Sequence, residues 1–100
     1  MKMKLLMQWD IRPGHDSQYL EFIIREFVPS VEQMGLQIVG VWYTLYGDES
    51  QILVAVVARN EQVLHQILAS QEWEGLFNNL SQHVTNVQKK TVPDRDRFQL

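Results

Sequence analysis

The sequence predicts an α+β fold of the ferredoxin-like type, β-α-β-β-α-β, in which helices cover one face of a four-stranded antiparallel sheet. The first observation is a hairpin. Residues 39–46 and 51–58 are rich in β-branched and aromatic residues and flank the polar turn Gly47-Asp48-Glu49-Ser50. The second observation is that stripes of apolar residues at helical spacing precede and follow this hairpin. The third is that strand-like patterns lie near both ends of the chain and supply the outer strands.

The segment before the hairpin predicts a strand and a helix. Residues 3–12 alternate apolar and polar side chains, and Pro13-Gly14 ends this strand as a turn. Asp16 or Ser17 is the expected side-chain cap of the helix. Pro29 is expected to kink the helix near residues 25–27 or to break it in two, because proline removes a backbone hydrogen bond. The predicted apolar face of the helix consists of Leu20, Ile23, Phe27, Val31 and Met34.

The segment after the hairpin predicts two short helices and a last strand. Asn60 and Ser70 are the expected caps, with a bend between the helices near Ser70. Residues 83–92 predict the strand, which Pro93 ends. We therefore expect one domain over residues 1–92 and a charged tail over residues 93–100. The two helical stripes are Val63, Leu64, Ile67 and Leu68, followed by Trp73, Leu76, Phe77 and Leu80.

The hairpin has a predicted register and two apolar faces. Its turn implies three pairs: Trp42 with Ala55, Gly40 with Val57, and Tyr43 with Val54. Because side chains alternate along a strand, Gly40, Trp42 and Ala55 share the face opposite to that of Tyr43. A sheet face in contact with water normally includes polar residues, so both faces are expected to be covered. We therefore predict a homodimer whose interface contains Gly40, Trp42 and Ala55.

Composition argues against several function classes. The formal net charge is −3 at pH 7, whereas nucleic-acid binding needs clustered Lys and Arg. The chain contains no cysteine, which excludes thiol chemistry. The apolar run at the N-terminus stops at Gln8, too early for a signal peptide, and no other segment predicts a membrane span. We expect a cytoplasmic protein with neither a nucleic acid nor a membrane as its partner.

The chain resembles the NIPSNAP-like branch of the dimeric α/β-barrel superfamily. The resemblance covers residues 3–92 and implies a homodimer in which two ferredoxin-like sheets form a barrel, with a pocket between each sheet and its helices. Members of this superfamily include antibiotic-biosynthesis and haem-degrading monooxygenases, isomerases and domains without known activity. The residues that carry the resemblance are Pro13-Gly14, the string Val39-Gly40-Val41-Trp42-Tyr43-Thr44 running into Gly47, and Glu72-Trp73.

Four aromatic residues are the candidate ligand-binding residues: Trp9, Tyr43, Trp73 and Phe77. Strand alternation directs Trp9 and Tyr43 toward the helices, and the helical stripe directs Trp73 and Phe77 toward the sheet. Indole and phenol groups combine a flat apolar surface with one polar atom, which suits a small aromatic or apolar ligand. Plain core packing of these side chains is the alternative interpretation.

Histidine chemistry is limited to one candidate. His15, His65 and His83 lie in three different elements without metal-ligand spacing, so we predict no metal site. His65 is expected to be exposed. His15, near the start of the first helix, is the candidate catalytic residue, because imidazole exchanges a proton near neutral pH. A solvated turn histidine is the alternative.

The resemblance does not extend to haem degradation. Haem-degrading relatives rely on an Asn in the first strand and on a Trp and a His in the second helical region. The corresponding helical positions here hold Ile67 and Phe77, and residues 3–12 contain no Asn. We therefore predict no cofactor.

Three functions stay open from the sequence. The main hypothesis is a homodimer that binds a small aromatic or apolar molecule between sheet and helices. The second is a cofactor-independent, monooxygenase-like enzyme that acts on a phenolic or quinone-type substrate. The third is a structural or regulatory homodimer without a ligand.

Overall fold

The protein is a four-stranded antiparallel sheet packed against helices. The structure, a computed structural model, describes residues 1–44 and 50–94. Its sheet has the strand order β2-β3-β1-β4, with antiparallel neighbours, which confirms the predicted ferredoxin-like fold. The strands are β1 (Met3–Ile11), β2 (Gln37–Tyr43), β3 (Ile52–Ala58) and β4 (Val84–Pro93), and the α-helices are α1 (Asp16–Phe22), α2 (Val28–Gln33), α3 (Glu61–Leu68) and α4 (Gln71–Leu80).

The core lies between the helices and one face of the sheet. Leu5, Met7 and Trp9 alternate along β1 with half-buried neighbours, and each is at most 1% exposed. Their cross-strand partners on β3 are Val56, Val54 and Ile52, which belong to the same core. Within residues 1–44 and 50–94 no charged or polar residue is buried, so apolar packing holds the layers together.

Residues 16–33 form one continuous helical segment with a π-helical turn, Ile23–Phe27, in the middle. The N–H of Val28 donates to the carbonyl of Ile23, five residues earlier. Pro29 follows at the second position of α2, where it has no N–H to donate. The disturbance expected near residues 25–27 is therefore a π turn and not a break.

Two expectations for this helix are wrong. Neither Asp16 nor Ser17 caps it, because Asp16 is already helical and His15 occupies the cap position without a side-chain hydrogen bond. Leu20 is 56% exposed, whereas Tyr19 and Phe22 are buried. The π turn explains why Leu20 does not lie on the buried face. A π turn has more residues per turn than an α-helix, so Phe22 and Phe27, five residues apart, share the buried face.

The predicted hairpin register is wrong by two residues. The observed pairs are Gly40 with Ala55, Val41 with Val54, Trp42 with Leu53 and Tyr43 with Ile52. The Thr44 N–H bonds to the Gln51 carbonyl at 2.7 Å, which maintains this register at the end of the ladder. Because side chains repeat every two residues, the error leaves Gly40, Trp42 and Ala55 on the face away from the helices. Residues 45–49, which hold most of the predicted turn, lie outside the described residues.

A β-bulge in β2 changes the alternation that the sequence suggests. Ile38 pairs with Val56 and Gly40 pairs with Ala55, so Val39 is the extra residue. Ile38 packs against the core, whereas Val39 is 49% exposed.

The second half of the chain agrees closely with the prediction. Asn60 Oδ1 accepts from the Val63 N–H at 2.8 Å, and Ser70 Oγ accepts from the Trp73 N–H at 3.2 Å. Both caps are confirmed, and so are the two short helices. β4 extends to Pro93, and residues 95–100 of the predicted tail lie outside the described residues. No helix in the described ranges has the length and hydropathy needed to span a membrane.

Asp10 joins the ends of three strands. Its carboxylate accepts from Asn86 Nδ2 and from the Gln51 N–H, both at 2.9 Å. Asn86 lies at a bulge between β1 and β4 and has a φ of 57°. The hydrogen bonds from Asn86 and from the Gln51 backbone lower the pKa of Asp10 from its usual 3.8.

We predict that the ionisation of Asp10 makes the free energy of unfolding decrease at acidic pH. Its lowered pKa means that the folded protein favours the carboxylate, so stability is present above pH 3.8 and is lost as the pH falls below this value. In urea denaturation between about pH 3 and about pH 7, Asp10→Asn should lose less stability on acidification than the wild type. Asp16→Asn is the control and should follow the wild type. Equal acid sensitivity in both variants would contradict the role of Asp10.

Candidate ligand-binding site

Trp9 occupies the centre of the aromatic core. Its side chain is completely buried, and its indole N–H donates to the Tyr19 hydroxyl at 2.9 Å. Its ring makes edge-on contacts with Phe27 at 5.8 Å and Phe77 at 6.4 Å between centroids. The one polar atom of the indole, Nε1, is hydrogen-bonded inside the protein. Trp9 therefore supports a site from within the core and does not present a polar atom to a ligand.

Trp73 and Phe77 lie one turn apart on α4 and face the sheet. Their ring centroids are 4.8 Å apart. Trp73 is 3% exposed, and Phe77 is half-buried. Ser70 caps the start of α4. Because residues four apart share one face of a helix, Trp73 and Phe77 lie on the same side of α4.

A pocket of about 540 Å³ lies between α4 and the β4 edge of the sheet. We call it the α4–β4 pocket. Trp73 and Phe77 form its aromatic wall, while Leu5, Lys89 and Thr91 line the sheet side. Its volume is within the range of small-molecule sites.

Lys89 supplies a positive charge that the sequence did not identify as part of a site. Its ammonium lies 4.5 Å from the centroid of the Phe77 ring, a cation–π contact. The alternation of side chains along β4 is the sequence signal that could have identified it. Lys89 pairs with Met7, a core residue of β1, so its side chain is on the helix side of the sheet.

The structure does not bring Tyr43 into this pocket. Tyr43 pairs with Ile52 and therefore lies on the helix side of the sheet, but it is 53% exposed near the end of the outer strand β2. It is absent from the residues that line the α4–β4 pocket, as is Trp9. Of the four aromatic candidates, Trp73 and Phe77 are thus brought together at a cavity.

The structure brings two histidines together that the sequence placed in separate elements. The rings of His15 and His83 lie 5.8 Å apart, and the Nδ1 atom of each is buried without a hydrogen-bond partner. Backbone bonds join the two turns, with the Arg12 N–H donating to the His83 carbonyl at 2.8 Å. His83 precedes β4 and the pocket lies near the other end of that strand, so His15 is not positioned to act on a ligand there.

Metal binding finds no support among the described residues. Residues 1–44 and 50–94 contain no group of three or more His, Cys, Asp or Glu side chains that could hold a metal ion. The side chain of His65 is 68% exposed, as expected, and lies 3.9 Å from Glu61.

The predicted interface residues lie on the sheet face away from the helices. A Cβ atom on Gly40 would collide with the indole of Trp42, so the ring rests on the backbone of its own strand. Trp42 is nevertheless 53% exposed, whereas Ala55, opposite Gly40, is 1% exposed. Val39, Val41 and Tyr43 add to the exposed apolar surface of this edge strand.

These features define a ferredoxin-like α+β domain with a pocket between the edge of its sheet and its last helix. The NIPSNAP family model matches residues 4–93. The chain therefore belongs to the NIPSNAP family, as its sequence resemblance predicted.

Solved structures share the fold at low sequence identity. A NIPSNAP family protein from Agrobacterium tumefaciens is 16% identical, with a TM-score of 0.71 over 96% of this chain and 95% of that one. A NIPSNAP-like domain protein from Burkholderia xenovorans is 16% identical, with a TM-score of 0.72 over 99% and 90%. A protein from Deinococcus radiodurans, named as a candidate antibiotic biosynthesis monooxygenase, is 13% identical, with a TM-score of 0.72 over 100% and 98%. No curated protein matches the chain significantly.

We predict that the Tyr19 hydroxyl stabilises the fold by accepting from Trp9, and that its burial makes stability decline at alkaline pH. Tyr19→Phe leaves a buried N–H without an acceptor, which should cost about 1–3 kcal/mol at neutral pH. Burial raises the pKa of Tyr19 above 10.0, and the hydrogen bond from Trp9 partly offsets this rise. The folded state therefore retains the proton longer than the unfolded state, and stability declines as the pH rises above 10.0.

Urea denaturation at neutral and alkaline pH measures both effects. Tyr19→Phe should remove part of the alkaline decline, while Tyr43→Phe, at an exposed position, serves as the control. An undiminished alkaline decline in Tyr19→Phe would contradict the assignment.

Proposed function

We propose that the protein is a homodimer that binds a small aromatic or apolar molecule in the α4–β4 pocket. The observation that carries this proposal is the pocket itself, about 540 Å³ between helix and sheet, with Trp73 and Phe77 as its aromatic wall. A ligand in contact with this wall excludes water from apolar surface on both partners.

Lys89 supports a more specific ligand class. Its ammonium lies over the Phe77 ring and lines the same pocket, where Glu74 is the acidic side chain at the opposite wall. An aromatic ligand with a carboxylate or phenolate group would gain a charge-assisted hydrogen bond to Lys89 in addition to apolar contact with the wall. Aromatic acids are therefore the preferred class.

The dimer is supported by the apolar surface of β2. Trp42 is 53% exposed on the helix-free face, where Leu53 and Leu6 are half-buried neighbours on β3 and β1. An edge strand with large exposed apolar side chains is prone to association with other chains unless a specific partner covers it. A second copy, packed face to face through Trp42, Gly40 and Ala55, would cover this surface symmetrically.

The enzyme hypothesis has less support. The Deinococcus radiodurans neighbour connects the fold with monooxygenases by name, but His15 lies away from the α4–β4 pocket. The titratable side chains that line the pocket, Glu74, Lys89 and Lys90, are suited to recognising the charge of a ligand. Ligand binding is therefore the function that the geometry supports best.

We predict that 2-naphthoate stabilises the protein through the α4–β4 pocket. At a hundred times its dissociation constant, a ligand adds about 2.7 kcal/mol to the free energy of unfolding, which a thermal-shift assay detects. Thr91→Trp should fill the pocket and weaken binding at least about tenfold, or 1.4 kcal/mol. Lys89→Gln should weaken binding of 2-naphthoate but not of the neutral 2-naphthylmethanol.

The matched control is Val87→Trp, which adds the same side chain to β4 outside the pocket. Val87 is exposed and does not line the pocket. Equal affinity for 2-naphthoate in Thr91→Trp and Val87→Trp would exclude this pocket as the binding site.

We predict a dimer mass in sedimentation or light scattering at micromolar concentration. Trp42→Glu should convert the dimer to monomer, because a carboxylate buried between two apolar faces has no partner. Leu20→Glu is the control, since Leu20 is 56% exposed on α1, on the other side of the sheet. A monomeric wild-type protein would remove this part of the proposal and leave the pocket to be tested separately.

A further inference from the structure

A second cleft lies on the outer side of the helical layer. It separates the helical segment 16–33 from α3 and α4 and has a volume of about 670 Å³. We call it the interhelical cleft. Its floor is apolar, formed by Ile67 and Leu76, each 8% exposed, and by the half-buried Met34. A methionine side chain adapts to irregular apolar shapes and makes favourable contacts with aromatic rings.

The charges around the interhelical cleft have one sign. Glu26 on one wall and Glu72 on the other are exposed carboxylates that line it. Among the described residues, no Lys, Arg or His lines this cleft, and amide and hydroxyl side chains complete its rim. An apolar floor between two carboxylates is complementary to a molecule with an apolar body and a positive charge.

Gly75 leaves one wall of the interhelical cleft without a side chain. It lies inside α4, where glycine lowers helix stability relative to alanine. Its φ is not in the left-handed region, and a Cβ atom added there would meet no other atom within 4 Å. Neither backbone conformation nor packing within the described chain requires glycine at this position. Gly75 lines the cleft, so the missing side chain leaves room for a ligand to approach the helix.

We propose that the interhelical cleft binds an organic amine. The apolar body of the amine lies on Met34, Ile67 and Leu76 beside Gly75, and its ammonium group pairs with Glu72 or Glu26. This site is separate from the α4–β4 pocket. Trp73 and Phe77 of α4 line that pocket, whereas Glu72, Gly75 and Leu76 line the interhelical cleft.

The test uses the full-length protein and amide chemical-shift mapping with two amines, 2-phenylethylammonium and 1-naphthylmethylammonium. We expect millimolar additions to shift the amides of Gly75 and its neighbours in the cleft. The neutral analogue 2-phenylethanol should bind at least about fivefold more weakly, because it lacks the charge that pairs with the carboxylates. Absence of shifts at the cleft with both amines, or equal binding of the alcohol, would overturn the proposal.

Two matched pairs of variants sharpen this test. Glu72→Gln should weaken amine binding about fivefold, whereas Glu74→Gln, which removes the same charge from the first turn of α4 but faces the α4–β4 pocket, should not. Gly75→Leu should raise the thermal midpoint by its helix propensity and abolish the shifts, whereas Gly75→Ala should raise the midpoint and retain part of the binding. Equal weakening by Glu72→Gln and Glu74→Gln would overturn the assignment by showing a nonspecific charge effect.

Discussion

The buried indole of Trp9 is the constraint on which the rest of this structure depends. A tryptophan in the middle of the sheet fills a large volume, and its N–H needs an acceptor inside the protein. Tyr19 supplies that acceptor from α1 at 2.9 Å, while Phe27 and Phe77 contact the ring from the first helical segment and from α4. One side chain of the sheet thus contacts both the first helical segment and α4. The π turn, which places Phe22 and Phe27 on one face, is part of the same packing.

The position of α4 creates the two cavities of functional interest. Because Trp73 and Phe77 must face the sheet, Glu72, Gly75 and Leu76 face the first helical segment. The sheet side presents an aromatic wall with the Lys89 ammonium above it, and the outer side presents an apolar floor between two carboxylates. The ligands proposed for the two cavities are therefore of opposite charge. Within the NIPSNAP family the fold itself is shared at 16% identity.

Local sequence signals predicted most of the fold but only part of the candidate site. The Asn60 and Ser70 caps depend on residues three positions apart, so they could be recognised directly. The side of the sheet on which Trp42 lies was also predictable, because alternation survives a register error of two. The register itself was not, since it depends on where the two strands meet at the turn, which the Thr44–Gln51 hydrogen bond marks. The meeting of His15 with His83 joins residues that are distant in the chain and leaves no periodic signal. Strand alternation could place Lys89 on the helix side of the sheet, but not above the ring of Phe77.

The sequence by itself determined the order of the elements, the apolar faces of the strands, the two caps of the second helical region and the membership of the NIPSNAP family. These follow from spacing and residue type, which act over a few neighbouring positions. The tertiary structure decided which aromatic residues meet a cavity. The sequence placed both Trp9 and Trp73 on apolar faces and made both candidate ligand-binding residues. In the structure, Tyr19, Phe27 and Phe77 enclose Trp9. Trp73 instead lines the α4–β4 pocket with Lys89 and Thr91. The physical reason is that burial and cavity shape depend on contacts between distant segments, which form only when the layers pack.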